Sequence, residues 1–422
     1  MRKITFFILF IFLCLQTLFT FNNSFAGSAY PYPIEFKQPN GNIVSIQLKG
    51  DEKVRWAETI DNYAILFNSK GSYEYAVLDV NQNMVPSGIL AKNVSERKNE
   101  EILFLSNIPK SLHYSDSQIQ MMLSAWDIVN QTGPQNVFPT TGSRNLVCIL
   151  IGYSDLAFTK TQADFNNLFN QINYTTGGAT GSVKDYYLET SYNQFNLTVT
   201  VAGPYTASNT MAYYGAPDGA NHDSHTHELV TEAVTLANPD VNYANFDNDG
   251  DNTVDGVYVI YAGYNEGAGA SVNTIWYHSS SITPIIFDGK IISKYACSSE
   301  LSGTMGTDIS GIGGICHEFG HVLGALDFYD TDYGDGGQYQ GTAHWDVMGS
   351  GNWNNDSKTP SHHNAYTKTV VYGWAPLTTL TPCSQITLNN STENSNSFYK
   401  YNTATANEYF IIENKQQLKF DT

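Results

Sequence analysis

The sequence has few cysteines and few positive charges for its length. Its 422 residues include five cysteines, too few for a fold that depends on a dense set of disulfide bonds. There are 21 lysines and arginines against 40 aspartates and glutamates, a formal net charge of -19. Such a chain cannot neutralise a run of phosphates, so nucleic acid is excluded as a general partner. Beyond the first 26 residues the sequence has no apolar run of membrane length, and it has no internal repeats.

The amount of apolar sequence is nevertheless sufficient for a folded protein. Hydrophobic residues make up 41% of the chain and aromatic residues 13%, which is enough to bury a sizeable core. At roughly 150 residues per domain, the length predicts two or three domains.

The first 26 residues are typical of a secretory signal peptide. Arg2 and Lys3 precede the apolar run ITFFILFIFLCLQTLFTF, and the sequence Ser24-Phe25-Ala26 resembles a cleavage site. The alternative is an uncleaved anchor, since the run is close to spanning length. The polar residue Gln16 interrupts the run and favours cleavage after Ala26. We therefore expect a secreted or cell-envelope protein with no stable membrane anchor after cleavage.

The rest of the chain has two parts with different patterns. Residues 27–140 contain alternating strand-like segments and then a helical stretch, which predicts a β-rich domain with a linker helix. The segment 130–145 is rich in Gly, Pro, Thr and Asn and predicts the boundary. Residues 141–422 interleave apolar strands with helices, which predicts a second, larger domain. Its predicted strands lie at 146–153, 195–203 and 254–263, and its predicted helices include one that begins near Ser182 and one at 227–238.

The segment GIGGICHEFGHVLGALDFYD, residues 311–330, carries the strongest signal for chemistry. His317 and His321 are four residues apart, so on a helix they share one face and can ligate one metal ion. Glu318 is displaced from this pair, in a position to polarise a metal-bound water without displacing it. The segment therefore predicts a metal-dependent hydrolase.

A third ligand is expected shortly after the helix. Gly324 can end the helix in a left-handed conformation and reverse the chain, which would return Asp327 to the metal. Two nitrogens and one carboxylate, with a fourth position for water, are typical of catalytic zinc. The competing candidates for the third ligand are Asp330, Asp335 and His344. Further on, Met348 is predicted to lie in a tight turn beneath the metal, as the floor of the site.

These motifs resemble the metzincin-like clan of zinc endopeptidases and, more closely, the immune inhibitor A family of secreted bacterial metallopeptidases. That family carries HExxHxxGxxD, with Asp where most of the clan has a third His, and this pattern matches His317 to Asp327. The resemblance continues through VCILIGYSDLAF, FDNDGDNTVDGVYVIYAG and WDVMGSGNWNN, and it covers most of residues 145–422. A fainter likeness at residues 38–66 matches the family's pro-segment.

The resemblance implies a fold and an activity. The implied fold is α+β: a two-lobed catalytic domain with a mixed sheet and an active-site helix, preceded by a small β-rich pro-domain. The implied reaction is hydrolysis of protein or peptide substrates by a zinc endopeptidase made as a zymogen, with Glu318 as the base. In some relatives a tyrosine beyond the methionine turn supports the oxyanion. Tyr366 is the candidate for that role here, and a packed helix tyrosine is the alternative. Because the family's catalytic region commonly continues past the final QQLKFDT, we expect either a fragment or a shortened catalytic domain.

A second metal, calcium, is predicted at FDNDGDNTVDG, residues 246–256. Its oxygen donors occupy positions one, three, five, seven and nine of a loop like that of an EF-hand. These donors are Asp247, Asp249, Asp251, the Thr253 carbonyl and Asp255. Two departures count against calcium, because Asn252 replaces the usual glycine and Tyr258 stands where a bidentate glutamate would close the site. The alternative is a solvated acidic turn.

Several other groups have an ordinary interpretation. We expect the histidines of HDSHTHE (222–228) to be helix caps or surface residues, and His362 and His363 to lie at the surface. Cys297 and Cys316 are either a disulfide or two buried thiols. The loop 327–337 is either polar or a second calcium site formed by Asp330, Asp332 and Asp335.

A different class of function also fits part of the sequence. The chain could be a catalytically dead relative that acts as a calcium-dependent secreted binding or adhesion protein. The intact Glu318 favours an active enzyme.

Overall fold

The structure is a computed structural model that describes residues 25–130, 137–334, 339–383 and 385–422. Residues 1–24, which form most of the predicted signal peptide, and Asp335 lie outside the described residues. The described chain is α+β, with three separate sheets and helices on both faces of the central one. In these ranges, no helix combines the length and the apolar character needed to span a bilayer.

The N-terminal sheet is a six-stranded antiparallel meander in the order in which the strands occur. It is preceded by a two-residue strand, β1 (Phe25–Ala26), which belongs to the central sheet. The six strands of the meander are β2 (Ile34–Lys37), β3 (Ile43–Gly50), β4 (Arg55–Thr59), β5 (Ala64–Phe67), β6 (Tyr73–Leu78) and β7 (Met84–Leu90). Helix α1 (Asn99–Leu105) follows, and α2 (Asp116–Asn130) packs Ile119 and Met122 against the sheet residues Trp56 and Met84. The alternating sequence pattern therefore forms the expected β-rich structure.

The central sheet is mixed and consists of β1 and five later strands, β8 (Gly142–Gly152), β9 (Phe195–Thr206), β10 (Val257–Tyr261), β11 (His278–Phe287) and β12 (Lys290–Ser299). The order of the strands in the sheet is β1-β11-β12-β10-β8-β9. Strands β9, β8, β10 and β12 are parallel to one another, β11 pairs antiparallel with β12, and the edge strand β1 pairs antiparallel with β11. Because both faces of a parallel sheet are covered, β8 is the continuous apolar run that the sequence predicted.

Each face of β8 packs against a different set of helices. The helices are α3 (Gln162–Asn170), α4 (Val183–Thr190), α5 (Met211–Gly215), α6 (Thr226–Ala237), α7 (Ile312–Val322) and a short irregular turn, α8 (Asn354–Ser357). Leu146, Cys148 and Leu150 pack on the face with α3, α4 and α7. The alternate residues, including Val147 and Ile149, pack on the opposite face with α6.

Local sequence explains where two of these helices begin. Thr161 and Ser182 accept hydrogen bonds from the third helical amides of α3 and α4, and the aspartates at those positions bond back to the cap residues. This reciprocal capping box satisfies amides that the helix itself leaves unpaired. The predicted start near Ser182 is confirmed.

The last part of the chain packs beneath α7. It contains a π-helical turn at Thr367–Val371 and a small sheet of β13 (Thr378–Thr379), β14 (Tyr399–Asn402) and β15 (Tyr409–Ile412). Buried residues of this region, including Met348, Tyr372 and Trp374, join the core that contains α7. Helix α7 therefore lies between the central sheet and the C-terminal segments.

The four described cysteines are free thiols. Cys148 and Cys316 lie in the core on one face of the central sheet, Cys297 lies in the core on the other face, and Cys383 is exposed. Because the sheet separates Cys297 from Cys316, the buried-thiol interpretation of this pair is confirmed and the disulfide is wrong.

Candidate active site

Two histidines and one aspartate form a tight triangle at the C-terminal half of α7. The Nε2 atoms of His317 and His321 are 3.2 Å apart. Asp327 Oδ1 lies 3.3 Å from each of these nitrogens. Both imidazoles are fully buried, and only 6% of the Asp327 side chain is exposed. The structure thus brings together the three residues that the sequence predicted as zinc ligands.

Backbone carbonyls fix the orientation of the two imidazoles. His317 Nδ1 donates to the Val347 carbonyl at 2.7 Å, and His321 Nδ1 donates to the Ala325 carbonyl at 3.0 Å. With Nδ1 engaged in this way, each ring directs Nε2 towards the other ring and towards Asp327. Hydrogen bonds of this kind are the usual outer support of metal-ligating histidines.

The third corner of the triangle is positioned by a reversal of the chain at Gly324. Its φ of 100° lies in the left-handed region, where a residue with a Cβ would be strained. The Gly324 amide donates to the His321 carbonyl at 2.9 Å and the Ala325 amide to the Gly320 carbonyl at 3.0 Å, which closes the end of the helix. The chain then returns past α7, and Asp327 reaches the histidines.

The dimensions and chemistry of the triangle suit zinc. Tetrahedral zinc with bonds of about 2.0–2.1 Å places neighbouring donor atoms about 3.3 Å apart, which agrees with the three observed edges of 3.2 and 3.3 Å. Two imidazoles and one carboxylate are a common donor set for catalytic zinc. The residues that are present therefore fit this metal.

The electrostatics of the triangle favour a positive charge among the donors. Burial alone would raise the pKa of Asp327, but the adjacent imidazoles of His321 and His317 hold it below the usual range. Burial alone would lower the pKa of His317, but its hydrogen bond to Asp327 and the charge of Glu318 raise it to about 9. A metal cation held between these atoms would provide this positive charge.

Glu318 lies beside the triangle and is fully buried. Its Oε1 is 3.9 Å from His317 Nε2. Neither of its carboxylate oxygens has a hydrogen-bond partner among the described residues. Burial raises the pKa of Glu318 well above its usual range, and the charges of Asp327 and Asp51 raise it further. This is a carboxylate suited to accepting a proton.

Met348 packs against the backbone of α7 at Gly320, which lies between the two histidines in the sequence. A Cβ added at Gly320 would come within 2.8 Å of Met348 Sδ and 3.2 Å of His363 Cε1. Met348 is fully buried, and its carbonyl accepts a hydrogen bond from the Phe328 amide at 2.9 Å. The turn therefore supports both α7 and the segment that carries Asp327.

The competing candidates for the third ligand lie outside the triangle. Asp330 accepts hydrogen bonds from the Asp332 and Tyr339 amides, both at 3.2 Å. The ring of His344 stacks on Tyr32 with 6.0 Å between centroids. Among the described residues, the three-ligand cluster at this site contains Asp327 and neither of these two.

Tyr366 is partly exposed, at 36%. Its ring lies edge-on to Phe328, with 6.3 Å between centroids, and Phe328 directly follows Asp327. The tyrosine is thus near the segment that carries the third corner of the triangle, and its role in catalysis stays a prediction.

Two carboxylates that sequence reasoning missed are buried near the triangle. Asp51 and Glu52 lie in the turn between β3 and β4 and are 0% and 1% exposed. The hydroxyl of Tyr333 donates to Asp51 Oδ2, and the amides of Lys53 and Val54 donate to Asp51 Oδ1 at 2.9 and 3.2 Å. Burial raises the pKa of both carboxyls, and the charges of Asp327 and Glu318 act on Asp51 and Glu52 respectively. An acidic pair in a hairpin turn is normally solvated, so the sequence carries no signal for this burial.

The predicted calcium loop is only partly assembled. Asp247, Asp249 and Asp251 place carboxylate oxygens within 4.8 Å of one another. Lys290 Nζ donates to Asp247 Oδ2 at 2.7 Å, so one of these carboxylates already has a cationic partner. Asp255 instead accepts hydrogen bonds from the Asn248 amide and side chain, at 2.7 and 2.9 Å. Thr253 forms a β-bridge to Ile291, and its amide donates to Asp251 Oδ1 at 2.7 Å.

The expectation that His362 and His363 lie at the surface is wrong. His362 Nε2 lies 2.9 Å from Glu189 Oε1, and both rings are fully buried. Glu189 of α4 contacts the ring of His362, and Gly320 of α7 approaches the ring of His363. His222 is also buried, and its Nε2 lies 3.0 Å from the Lys53 carbonyl.

Comparison with known proteins bears directly on residues 153–373. This range, slightly more than half of the chain, matches the family model described as the immune inhibitor A peptidase M6 catalytic domain. The Pre-pro-metalloprotease PrtV of Vibrio cholerae serotype O1 (strain M66-2) is 31% identical over 218 residues, covering 44% of this chain and 23% of the relative. Immune inhibitor A of Bacillus thuringiensis subsp. alesti is 28% identical over 233 residues, covering 47% of this chain and 34% of the relative.

A solved structure, metalloproteinase-II from Bacteroides fragilis, aligns with 81% of this chain and 85% of its own. Its identity is 12% and its TM-score 0.28, which is too low to establish a common fold. The curated relatives are much longer than the aligned segments, so the match concerns the catalytic region alone. On the family match over 153–373, the chain belongs to the immune inhibitor A peptidase M6 family.

Proposed function

We propose that the chain is a zinc-dependent endopeptidase that hydrolyses peptide bonds in proteins. The observation that carries this proposal is the buried triangle of His317, His321 and Asp327 with Glu318 beside it. The similarity to the Vibrio cholerae relative, a metalloprotease by name, supports the reaction class.

In this proposal His317, His321 and Asp327 hold the zinc. Zinc, when bound, supplies a Lewis acid that polarises a carbonyl oxygen and lowers the pKa of water. The Val347 and Ala325 carbonyls keep the two imidazoles in the ligating orientation. The Met348 side chain packs against Gly320 and keeps the helix backbone in place.

Glu318 moves the proton. One of its oxygens takes a proton from the attacking water and later delivers it to the leaving amine. The raised pKa of this buried carboxyl favours its holding the proton between the two steps. Tyr366, whose ring lies edge-on to Phe328, is the candidate for oxyanion support, and a packed helix tyrosine is the alternative.

We further propose that residues 27–140 form a pro-domain and residues 141–422 a two-lobed catalytic domain with the metal in its cleft. Support comes from the position of α7 between the central sheet and the C-terminal segments. The β3–β4 turn, with Asp51 and Glu52 buried beside Glu318, supports a zymogen in which this turn covers the site. Removal of the turn would be required for substrate to enter.

Residues 1–26 are proposed to be a signal peptide that directs export of the protein. The proposed protein substrates are then encountered outside the cell. A structural calcium at residues 247–255 is also proposed. The clustering of Asp247, Asp249 and Asp251 supports it, whereas the contact of Lys290 with Asp247 weakens the need for it.

The test of the proposed reaction is Glu318→Gln, which keeps the shape of the side chain and removes its base. After activation, cleavage of denatured casein should fall about a hundred- to ten-thousandfold, while zinc content measured by mass spectrometry stays near one per chain. Glu393→Gln is the matched control, because Glu393 is 49% exposed and pairs at the surface with Lys419. Near-normal activity in Glu318→Gln would contradict the assignment, and absence of zinc from the wild-type protein would contradict the proposed function.

A further inference from the structure

The segment Gly27–Tyr30 is held by both parts of the molecule. Four hydrogen bonds join its backbone to the catalytic region. Trp276 Nε1 donates to the Gly27 carbonyl at 2.7 Å, and the Tyr30 amide donates to the Gly267 carbonyl at 2.8 Å. The Ser28 carbonyl accepts from the Tyr277 hydroxyl at 2.6 Å and from Trp353 Nε1 at 3.2 Å. The pro-domain side contributes the Gly50 carbonyl, which accepts from the Ala29 amide at 3.0 Å. The segment is therefore fixed by hydrogen bonds to both the N-terminal sheet and the catalytic region.

Gly27 itself lies in a space that admits no side chain. A Cβ at this position would come within 2.2 Å of Tyr277 Cε2. Its nitrogen is buried and donates to Glu52 Oε2 at 2.8 Å. The surrounding residues therefore recognise the backbone of Gly27, and its nitrogen is directed at a carboxylate.

Glu52 is poorly compensated for a buried carboxylate, because burial and the charge of Asp51 keep its pKa well above the usual range although the charge of Lys53 lowers it. It is 1% exposed, and its Oε1 has no hydrogen-bond partner among the described residues. The nearby Arg55 is engaged by Asp223 and Glu266, at 3.1 and 3.2 Å. A single amide N–H is a weak compensation for burying a charge, whereas an ammonium group offers three donors and the opposite charge.

We propose that removal of residues 1–26 creates the missing partner, because the α-ammonium group of Gly27 forms a buried ion pair with Glu52. This ion pair fixes the turn that carries Asp51 and Glu52 over the metal triangle. The new N-terminus is thus a structural part of the latent enzyme. The inference rests on the proposed cleavage after Ala26 and on the proposed zymogen.

The covalent step balances with water as the only co-reactant. The peptide bond between Ala26 and Gly27 breaks, and water supplies a hydroxyl to the Ala26 carbonyl carbon and a proton to the Gly27 nitrogen. The amine takes a second proton from solvent, since an α-amino group has a pKa of about 7.7–8.0. The same cleavage removes Phe25 and Ala26, which pair with β11 in the uncleaved chain.

The experiment compares four chains produced as fusions whose tag is removed to leave a defined first residue. One begins at Gly27, one begins with Ala26 before Gly27, and two begin at Gly27 and carry Glu52→Gln or the control Glu58→Gln. Glu58 is a suitable control because it lies in β4 of the same sheet and pairs with Lys49 at 3.4 Å. The readout is the rate at which the α-amine is acylated near pH 7, in buffer and in urea, followed by mass spectrometry of the N-terminal peptide.

In the chain that begins at Gly27, and in Glu58→Gln, acylation should be slower in buffer than in urea by at least about tenfold, because the amine reacts only when the junction opens. The Ala26 chain and Glu52→Gln should lose this protection and should cleave casein faster before activation. An unprotected Gly27 amine in the wild-type sequence, or full protection in Glu52→Gln, would overturn the proposal.

Two further measurements separate this inference from the proposals beneath it. The first residue of the exported protein, read by mass spectrometry, tests cleavage after Ala26, and any other first residue overturns the ion pair as a natural feature. Zinc content and the activity of Glu318→Gln test the catalytic proposal independently. Because the fusions fix the first residue, the protection of the amine is measured whatever the enzyme cleaves.

Discussion

The buried triangle and the acidic turn at 247–251 both gather metal-binding side chains, but they balance charge in different ways. In the triangle, His317, His321 and Asp327 direct three donor atoms at a common point, with edges of 3.2 and 3.3 Å. In the acidic turn, Lys290 already contacts Asp247, and Asp249 and Asp251 are exposed. Carboxylates in water tolerate their neighbours, whereas buried donors that converge need a cation. The triangle buries all three of its donors without a lysine partner among the contacts described above, whereas the acidic turn buries only Asp247 and pairs it with Lys290.

The largest effect is expected from His321→Ala, which removes one corner of the triangle. Zinc content should fall to background, and casein cleavage should fall on the order of a thousandfold or more, because the metal contributes several kcal/mol at about 1.4 kcal/mol per tenfold in rate. His344→Ala is the control, since the ring of His344 stacks on Tyr32 away from the triangle. Retention of stoichiometric zinc by His321→Ala would remove the contrast between the two sites.

A smaller effect is expected when the turn between β3 and β4 loses the carboxylate of Asp51. Asp51→Ala removes the hydrogen bonds that Asp51 accepts from Tyr333, Lys53 and Val54. At about 1 kcal/mol for each of the three bonds, the covering turn should open often enough to raise casein cleavage by the unprocessed chain on the order of a hundredfold.

The matched control for this change is Asp79→Ala. Asp79 Oδ1 accepts from two amides in the β6–β7 turn, both at 2.8 Å, so it has the same turn chemistry in another hairpin. Equal activity in the two variants would show that the position of Asp51 beside the metal residues is irrelevant to latency.

The smallest effect is expected at the acidic turn. Lys290→Met leaves the Asp247 side chain, which is 2% exposed, without its ammonium partner. In EGTA the melting temperature should fall by about 4–8 °C, equivalent to about 2 kcal/mol for a domain of this size. Calcium should restore it, because a ligand at 100 times its Kd stabilises by about 2.7 kcal/mol.

Lys419→Met, which breaks an exposed pair with Glu393, serves as the control and should leave the melting temperature within a degree or so of wild type. If calcium shifts neither the wild type nor Lys290→Met, the loop is neutralised by Lys290 alone and the proposed calcium is wrong.

The features that the sequence predicted are those set by short-range geometry. His317 and His321 are one helical turn apart, and Gly324 allows only a few residues before Asp327, so their meeting follows from local rules. The apolar run in β8 likewise predicts a strand that is covered on both faces. The helix starts at Thr161 and Ser182 depend on capping residues visible in the sequence.

The features that were missed depend on contacts between distant parts of the chain. Asp51 and Glu52 have the sequence of a solvated turn, and only the docking of the N-terminal sheet buries them. Lys290 reaches Asp247 because the β11–β12 hairpin folds back beside the acidic turn. His362 was expected at the surface, but Glu189 of α4 lies 2.9 Å from its ring.

The reaction rates of the free thiols with an alkylating reagent can report how different parts of the molecule open. Cys383 is exposed and should be alkylated at once, whereas Cys148, Cys297 and Cys316 can be modified only when the core admits the reagent. Cys316 immediately precedes the first zinc-binding candidate, and Cys297 lies on the opposite side of the central sheet. The order in which these sulfurs are labelled would therefore tell which layer of the protein loosens first.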